Sequence, residues 1–361
     1  MTIALPEPAA VETIGGRPVP LHYGAPVAEE RALRDGSALV ERGHRARVSL
    51  AGEKAAELLT GLVTNDVQAL APGHGQYAAV LTPKGKIVAD VRIFVGAGQA
   101  DRILVDTGAR AGDGLLGVVR KYVNPRVAPY RDEREALDVL GVFGPRSRSV
   151  VASVTGVGLE TLSGMPVYSH RAADVEGAHV VVARVPELLV EGYELFVPRD
   201  AADALRTRLA QAGVAPAGLL AWETARIEAG RPEWGIDMDE NTLPQEANFD
   251  ELNAISYTKG CYTGQETVAR VHFRGHVNRH LRHLRFEGDA LPPTGAALAD
   301  DAGKAVGEVR SVVRSPRLGA IAIGMVRREV VLGTTVAVRW EGGETRATVY
   351  ALPYVTPVVA A

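Results

Sequence analysis

The chain has 361 residues, which is too many for one compact core and indicates two or three domains. Hydrophobic residues make up 46% of it, and this much apolar surface excludes an intrinsically disordered protein. Forty Lys and Arg residues against 43 Asp and Glu residues leave a net charge of −3, which excludes attraction of the whole molecule to nucleic acid or to an anionic membrane.

Strands and helices alternate over the first two thirds of the chain. Short β-rich runs bounded by Gly, Pro or Asp predict strands over residues 76–81, 86–95, 102–106, 137–143, 179–185 and 193–197. Apolar stripes with helical spacing predict helices over residues 53–63, 200–213 and 216–230. After Phe286 only short strands are predicted, over residues 307–313, 320–325, 335–339 and 345–350. The sequence therefore predicts an α+β body followed by a small all-β module, with a boundary near residues 280–290.

The first 20 residues and the apolar runs of the chain indicate the cellular compartment. Residues 1–20 show no basic segment followed by an apolar one, and no run approaches the roughly 18 apolar residues of a membrane span. We therefore expect a cytoplasmic protein without a membrane partner. The net charge also argues against nucleic acid as a partner, because phosphate contacts need a large basic surface.

The single cysteine, Cys261, excludes an intramolecular disulfide and any multi-cysteine zinc or iron–sulfur site built by this chain alone. It lies at residues 259–266, in the segment Lys-Gly-Cys-Tyr-Thr-Gly-Gln-Glu. Glycines on both sides allow the backbone to turn tightly and to approach a ligand, and Lys259 favours the thiolate. The alternative is that this cysteine is a small buried hydrophobic residue, which is the commoner role of an isolated cysteine.

A basic stretch without any acidic residue covers residues 267–286. It holds five arginines and four histidines, which predicts a local site for carboxylates or phosphates, and a solvated arginine face is the alternative. Three of the histidines, from His272 to His280, are spaced four residues apart as metal ligands on a helix would be. Gly275 and Asn278 weaken helix continuity there, so we expect no metal site.

The segment at residues 259–266 resembles the signature of the YgfZ family of folate-binding proteins, which are relatives of the mitochondrial iron–sulfur assembly factors. Other segments resemble the glycine-cleavage T-protein (GcvT), an aminomethyltransferase of the same superfamily, and residues 307–325 are similar to the C-terminal barrel of that superfamily. The resemblance covers about residues 17–350. The segments similar to the T-protein are residues 20–24, 64–67, 192–194, 226–230 and 238–240.

This resemblance implies a fold and a ligand. The fold is a GcvT/YgfZ-like three-lobed ring, in which two interleaved α/β lobes and a C-terminal β-barrel surround a central hole. Residues 17–280 would form the folate-binding body, and residues 281–361 would form the barrel domain. The hole would hold tetrahydrofolate or one of its one-carbon derivatives.

The resemblance also implies which residues contact the folate. A carboxylate accepts from the pterin N–H groups in this superfamily, and Glu194 lies at the matching place. Tyr77 and Tyr193 would pack on the ligand, and Arg226 lies in a matching segment. We expect the arginines of the basic stretch to face the anionic glutamate tail. Further folate contacts are expected from Lys259, Gln265, Arg270 and Arg274.

Three functions follow from the resemblance, and the complete signature around Cys261 favours the first. This is a YgfZ-like accessory protein that binds folate, supports assembly or repair of iron–sulfur clusters and acts in tRNA modification, with iron–sulfur client enzymes or assembly factors as partners. The second is an aminomethyltransferase. T-protein chemistry depends on an Asp-Asp pair, and this chain has Ala89-Asp90 there, so Asp90 would be the acidic group. The third is a non-catalytic folate- or RNA-binding module. Whether the chain is an enzyme stays open at this point.

Overall fold

The computed structural model describes residues 5–98 and 101–352, and these residues form a hairpin, two sheets and a closed barrel. The hairpin consists of β1 (Ala10–Ile14) and β2 (Arg17–His22). It packs against one of the central helices described below, and together they close one side of the body.

The first sheet has five antiparallel strands and carries its helices on one face. Apolar side chains from its strands and both helices form one buried core, to which the helices contribute Leu59 and Leu115 among others. The strands, in spatial order, are β5 (Gly75–Leu81), β6 (Ile87–Val95), β7 (Arg102–Thr107), β4 (Ala46–Ala51) and β8 (Tyr130–Asp132). The helices are α2 (Ala55–Thr60) and α3 (Gly112–Tyr122).

The second sheet has six strands, of which only the last pair is parallel. Its outer face packs on three helices through a separate apolar core. The strands, in spatial order, are β10 (His170–Val175), β11 (Ala178–Arg184), β12 (Gly192–Pro198), β9 (Leu137–Phe143), β3 (Ala38–Glu41) and β13 (Ala215–Ala217). The helices are α4 (Ser147–Thr155), α5 (Leu159–Ser163) and α6 (Ala202–Gln211). Because β3 precedes the whole first sheet in the chain and β9 follows it, the two lobes are interleaved.

Three further helices pack into a third apolar core, which they share with both sheets and with the barrel. Helices α1 (Pro26–Asp35) and α7 (Leu219–Ala229) contact each other, and α7 also packs on β2. Helix α7 ends at Gly230, whose φ of 66° is the left-handed conformation that glycine adopts without strain. Helix α8 (Gln265–Arg274) lies on the surface, with Val268 as its one buried residue.

The C-terminal strands close into a six-stranded barrel with its own apolar core. The predicted α+β fold with two interleaved lobes and a C-terminal barrel is thereby confirmed. The predicted domain limit at residues 280/281 falls inside the first barrel strand, and residues 353–361 of the predicted barrel domain lie outside the described residues. The strands are β14 (Arg279–Phe286), β15 (Ala297–Ala299), β16 (Ala305–Ser315), β17 (Gly319–Arg327), β18 (Thr335–Trp340) and β19 (Gly343–Tyr350).

Most predicted strands agree with the structure to within one or two residues, but the helix predicted over residues 53–63 is shorter. It ends at Thr60, because the chain then turns so that Val63 pairs with Val80 at the edge of the first sheet. Within the described residues, no helix is both long enough and apolar enough to cross a membrane.

Candidate functional site

A cavity with two chambers lies where the two sheets face each other. The inner chamber has a volume of about 20 Å³, and the outer chamber, which the hairpin and α7 also line, has a volume of about 230 Å³. The two chambers share four lining residues, which mark their junction: Arg42, Arg45, Gly108 and Glu233. The inner chamber is otherwise lined by Tyr77, Asp90, Arg92, Glu187, Trp222, Arg226, Arg231 and Pro232.

Arg92 is the centre of a buried ion cluster that joins the two sheets. Its Nε and Nη2 donate to Oδ1 of Asp106 at 2.9 and 2.5 Å, and its Nη1 donates to Oε1 of Glu187 at 3.1 Å. Nη2 also donates to Oε2 of Glu194 at 2.6 Å. Asp106 belongs to β7 of the first sheet and Glu194 to β12 of the second, so one guanidinium connects both lobes.

Two carboxylates of this cluster, Asp106 and Glu187, are held in their ionised form. Burial alone raises the pKa of Asp106, but the charges of Arg45 and Arg92 outweigh burial and lower this pKa to about 2. Burial likewise opposes ionisation of Glu187, whose pKa is lowered to about 2 by Arg231 and Arg92. These two groups therefore stay charged at neutral pH and do not exchange protons there.

Glu194, the residue expected to accept from a pterin, is fully buried, and both of its oxygens face arginines. Oε2 accepts from Arg92 at 2.6 Å, and Oε1 accepts from Nε of Arg42 at 3.4 Å. A pterin that bonded to Glu194 would have to share these oxygens with the guanidinium groups or replace them. The role of Glu194 in folate binding stays a prediction, and its role in joining the lobes is what the contacts show.

Asp90 differs from the other carboxylates that line the inner chamber because no arginine or lysine nitrogen of the described residues lies within 4 Å of it. Its Oδ2 accepts from the hydroxyl of Tyr77 at 2.9 Å. Burial is the largest influence on the pKa of Asp90 and raises it, despite the opposing effect of Arg45. The neighbouring Ala89 points to the opposite face of β6 and is fully buried in the core of the first sheet. The missing carboxylate at position 89 therefore removes no group from the cavity.

Tyr77 and Tyr193 lie in different surroundings. The ring of Tyr77 faces the inner chamber, with Cζ of Arg231 4.1 Å from its centroid. Tyr193 precedes Glu194 on β12, so its side chain points to the other face of the sheet, into the core under the outer helices. Its hydroxyl donates to Oε1 of Glu191 at 2.7 Å. Tyr193 does not line the cavity, and the prediction that it packs on the same ligand as Glu194 does not agree with this placement.

Arg226 of α7 lines the inner chamber, and its guanidinium is hydrogen-bonded to two nearby carboxylates. Nη1 donates to Oδ2 of Asp237 at 2.6 Å, and Nη2 donates to Oε2 of Glu223 at 2.7 Å. Glu233, at the junction of the chambers, lies 3.3 Å from Nη1 of Arg110. Arg226 is thus part of the wall of the inner chamber and is already paired, and its contact with folate stays a prediction.

The segment around Cys261 lies away from both chambers. Cys261 is exposed, and none of the described residues 259–266 lines the cavity. Lys259 bonds through Nζ to the carbonyl of Thr60 and lies 4.5 Å from the ring centroid of Tyr262. Its partial burial lowers its pKa to about 8. The motif is therefore a surface loop packed on α2, and its exposure leaves the thiol open to reagents.

The remaining predicted folate contacts also lie on the outer surface. Gln265 begins α8, and Arg270 and Arg274 are exposed on the same helix, apart from both chambers. Their predicted contact with the glutamate tail does not agree with this placement, because the helix packs its single buried residue inward and turns its arginines to solvent. The helix ends at Arg274, so the histidines from His272 to His280 do not share one helical face.

Sequence reasoning missed the arginines that line the cavity, apart from Arg226. Arg42 and Arg45 follow β3 directly, and Arg92 interrupts an otherwise apolar run in β6. A charged residue two positions from Asp90 on a strand shares its face, and a buried charge requires a partner. That pattern was the available signal for a cluster of buried charges.

A folate ring does not fit the inner chamber in this conformation. Its volume of about 20 Å³ has room for about one water molecule. The outer chamber, at about 230 Å³, is slightly smaller than the roughly 300–1,000 Å³ of typical small-molecule pockets. The N–H groups of a pterin need acceptors, whereas the junction offers two guanidinium groups and one carboxylate, Glu233, that is paired with Arg110 and Arg226.

Two family models match the chain, one for each part of this architecture. Residues 6–256 match the GCVT N-terminal domain, and residues 279–355 match the glycine cleavage T-protein C-terminal barrel domain. The chain belongs to the glycine cleavage T-protein family. The predicted membership of this superfamily is thus confirmed, whereas the YgfZ branch stays a prediction.

Relatives of this T-protein family member match it over nearly its whole length. It is 31% identical over 323 residues to an aminomethyltransferase of Thermosynechococcus vestitus, with 89% of this chain and 85% of that protein covered. It is 31% identical over 333 residues to an aminomethyltransferase of Rubrobacter xylanophilus, with 92% and 87% covered. The solved structure of the glycine cleavage system aminomethyltransferase T of Bartonella henselae has the same fold, with a TM-score of 0.85, 22% identity, and 96% and 94% of the two chains covered.

Proposed function

We propose that this chain is an aminomethyltransferase that passes a one-carbon group to tetrahydrofolate, with Asp90 as the acidic group of the reaction. The observation that carries the proposal is the state of Asp90, a buried cavity carboxylate free of arginine contacts and bonded to the hydroxyl of Tyr77. The family and the aminomethyltransferase relatives support this function better than the iron–sulfur role.

Asp90 is suited to general acid–base chemistry. Transfer of the methylene carbon breaks its bonds to the amine nitrogen and to the lipoyl sulfur and forms bonds to N5 and N10 of tetrahydrofolate. The two protons that N5 and N10 lose end on the departing ammonia and thiol, and a carboxyl group with a raised pKa can accept and return such a proton. The Tyr77 hydroxyl occupies Oδ2 and so fixes the orientation of the carboxyl group. Tetrahydrofolate would supply the one-carbon acceptor, and the cavity would have to widen beside Asp90 to admit its ring.

The proposal is tested by turnover. Purified chain is incubated with tetrahydrofolate and an aminomethyl-lipoyl carrier protein, and formation of 5,10-methylenetetrahydrofolate is followed. We expect Asp90→Asn to lower the rate by a factor of about 100 or more, as loss of a general acid–base group does. The control is Asp113→Asn, since Asp113 is almost fully exposed on α3. The proposal is contradicted if the wild-type chain shows no turnover or if the Asp90→Asn variant is as active as wild type.

A second candidate function, the YgfZ-like support of iron–sulfur cluster assembly or repair, is favoured by the exposure of Cys261. Its thiol is accessible, and Lys259 two residues away carries a pKa lowered to about 8 by burial. One thiol cannot enclose a stable cluster, so this role requires a partner, a second subunit or folate.

Complementation separates this second candidate from the first. Wild type, Cys261→Ser and Asp90→Asn are each expressed in a YgfZ-deficient strain, and the activities of its iron–sulfur enzymes are measured. The accessory role predicts rescue by wild type and by Asp90→Asn, and loss of rescue in Cys261→Ser. Full rescue by the serine variant removes the thiol from the mechanism, and failure of wild type removes the role.

A further inference from the structure

Arg42 is a buried guanidinium whose donors are mostly unused. The residue is 4% exposed, and Trp222 covers one face of the group, 3.9 Å from Cζ to the ring centroid. Within the described parts of the chain, its one side-chain hydrogen bond is the 3.4 Å bond from Nε to Glu194. Nη1 and Nη2 thus have no protein acceptor there, although the side chain lines both chambers. Neither nitrogen is among the fully buried polar atoms without a partner, so both are accessible from the cavity and can donate to a ligand there.

Arg45 brings a second guanidinium to the same junction. It uses only one edge on Asp106, with Nε at 2.8 Å and Nη2 at 2.7 Å from Oδ1. Its Nη1 has no acceptor among the residues that the structure describes. The two groups are close enough that Arg45 is the largest influence on the pKa of Arg42 after burial, and both lower it. Two like charges at one place, each with unused donors, favour a shared anion.

The chemistry of the junction selects the anion. Guanidinium groups carry donors only, and their planar fork matches the two oxygens of a carboxylate. The carboxylate of the junction itself, Glu233, is paired with Arg110 and Arg226. Glu194, behind the junction, is already bonded to Arg42 and Arg92. Beyond the arginines, the outer chamber offers apolar walls from Ile14 and Leu219 to the remainder of a ligand.

We propose that Arg42 and Arg45 form a carboxylate-binding subsite at the junction of the two chambers. The proposal names a ligand group for the cavity and thus rests on the proposed function. Two sources supply this chemistry: the glutamate tail of a folate, or the carboxylate of a small amino acid bound as a substrate. In both cases the carboxylate bridges the two guanidinium groups and accepts from the donors that Glu194 and Asp106 leave unused.

Calorimetric titration of the full chain tests the subsite. The probes are 5-formyltetrahydrofolate, the corresponding 5-formyltetrahydropteroyl amide without glutamate, and glycine. The variant is Arg42→Gln, and the control is Arg339→Gln, an arginine whose side chain is half exposed and paired with Glu344 on the barrel. Whichever carboxylate probe the wild type binds, we expect Arg42→Gln to lower its affinity by about tenfold or more, because a charged hydrogen-bond partner is lost. The control should leave its affinity unchanged.

Comparison of the three probes shows whether the carboxylate belongs to folate or to a small amino acid. If the carboxylate comes from folate, Arg42→Gln lowers the affinity for 5-formyltetrahydrofolate but not the affinity for the amide. If it comes from an amino acid, Arg42→Gln lowers the affinity for glycine and leaves the affinities for both folate probes as they are in wild type. Wild type that binds neither carboxylate probe, or Arg42→Gln that binds them as wild type does, overturns the subsite.

Two further measurements keep the result unambiguous. Circular dichroism establishes that Arg42→Gln is folded; if it is not, Arg42→Lys replaces it, because lysine retains the charge but lacks the fork and should still weaken binding. Asp90→Asn is titrated in parallel. Carboxylate binding without turnover in wild type overturns the proposed function alone, whereas turnover with unchanged binding in the Arg42 variant overturns the subsite alone.

Discussion

Arg92 and Glu194 form an ion pair of 2.6 Å between strands of different sheets, although they lie 102 residues apart in the chain. Each is at most 1% exposed. Because Arg92 also holds Asp106 and Glu187, this one side chain ties the charged wall of the cavity to both lobes. The charges that shape the cavity are therefore also part of what holds the body together.

Removing Arg92 should strongly destabilise the protein. Arg92→Leu leaves three buried carboxylates without their shared partner, and breaking buried pairs in this way costs about 3–5 kcal/mol. Urea denaturation measures the loss. The matched variant is Arg339→Leu, which breaks an exposed pair with Glu344 and should cost less than about 1 kcal/mol. Equal losses in the two variants would contradict the assigned role of Arg92.

Stability should fall on acidification below about pH 4.5. The pKa values of Asp106 and Glu187 are lowered to about 2 from 3.8 and 4.5, so their contribution is complete above the unfolded values and is lost as the pH falls toward 2. For Glu187 the shift corresponds to roughly 3 kcal/mol. Urea unfolding at pH 7, 4 and 2.5 measures it. Glu187→Gln should be less stable at pH 7 and should lose less on acidification, and an unaltered pH dependence would refute this.

The two glycines that flank Cys261 should respond differently to alanine. Gly264 has a φ of 84°, and an added Cβ would lie 2.6 Å from the carbonyl oxygen of Thr82. Gly264→Ala should therefore cost about 1–3 kcal/mol, from the strained conformation and the backbone clash. Gly260 has no heavy atom within 4 Å of such a Cβ, so Gly260→Ala should stay within about 0.5 kcal/mol of wild type. Thermal denaturation of the two variants compares them, and equal midpoints would show that the loop does not have this geometry.

Removing the hydroxyl group should lower activity at Tyr77 and stability at Tyr193. Tyr77→Phe removes the donor to Asp90, so the transfer rate should fall while the fold is retained. Tyr193→Phe removes a bond to Glu191 in the core, so it should cost about 1 kcal/mol of unfolding free energy and leave the rate unchanged. Turnover assays and urea denaturation of both variants provide the measurements. A rate loss in Tyr193→Phe equal to that in Tyr77→Phe would place Tyr193 in the site after all.

The elements that were predicted well are those with local signals. The strand over residues 137–143 and the end of α7 at Gly230 follow from alternation of apolar residues and from turn chemistry within a few residues. The shortened α2 and the placement of α8 depend on contacts with distant strands, which no local pattern contains. Asp90 was identified from the sequence, and Arg42 and Arg45 were not.

By itself the sequence determined the fold class and the superfamily, because local periodicity and short contiguous motifs carry both. Only the tertiary structure decided which faces the predicted site residues take. It turned Tyr193 and the arginines of α8 away from the cavity, left Cys261 on the surface, and brought Arg42, Arg45 and Arg92 together. The physical reason is that buried charges are placed by partners far away in the chain, and pairing across sheets has no signature within a single strand.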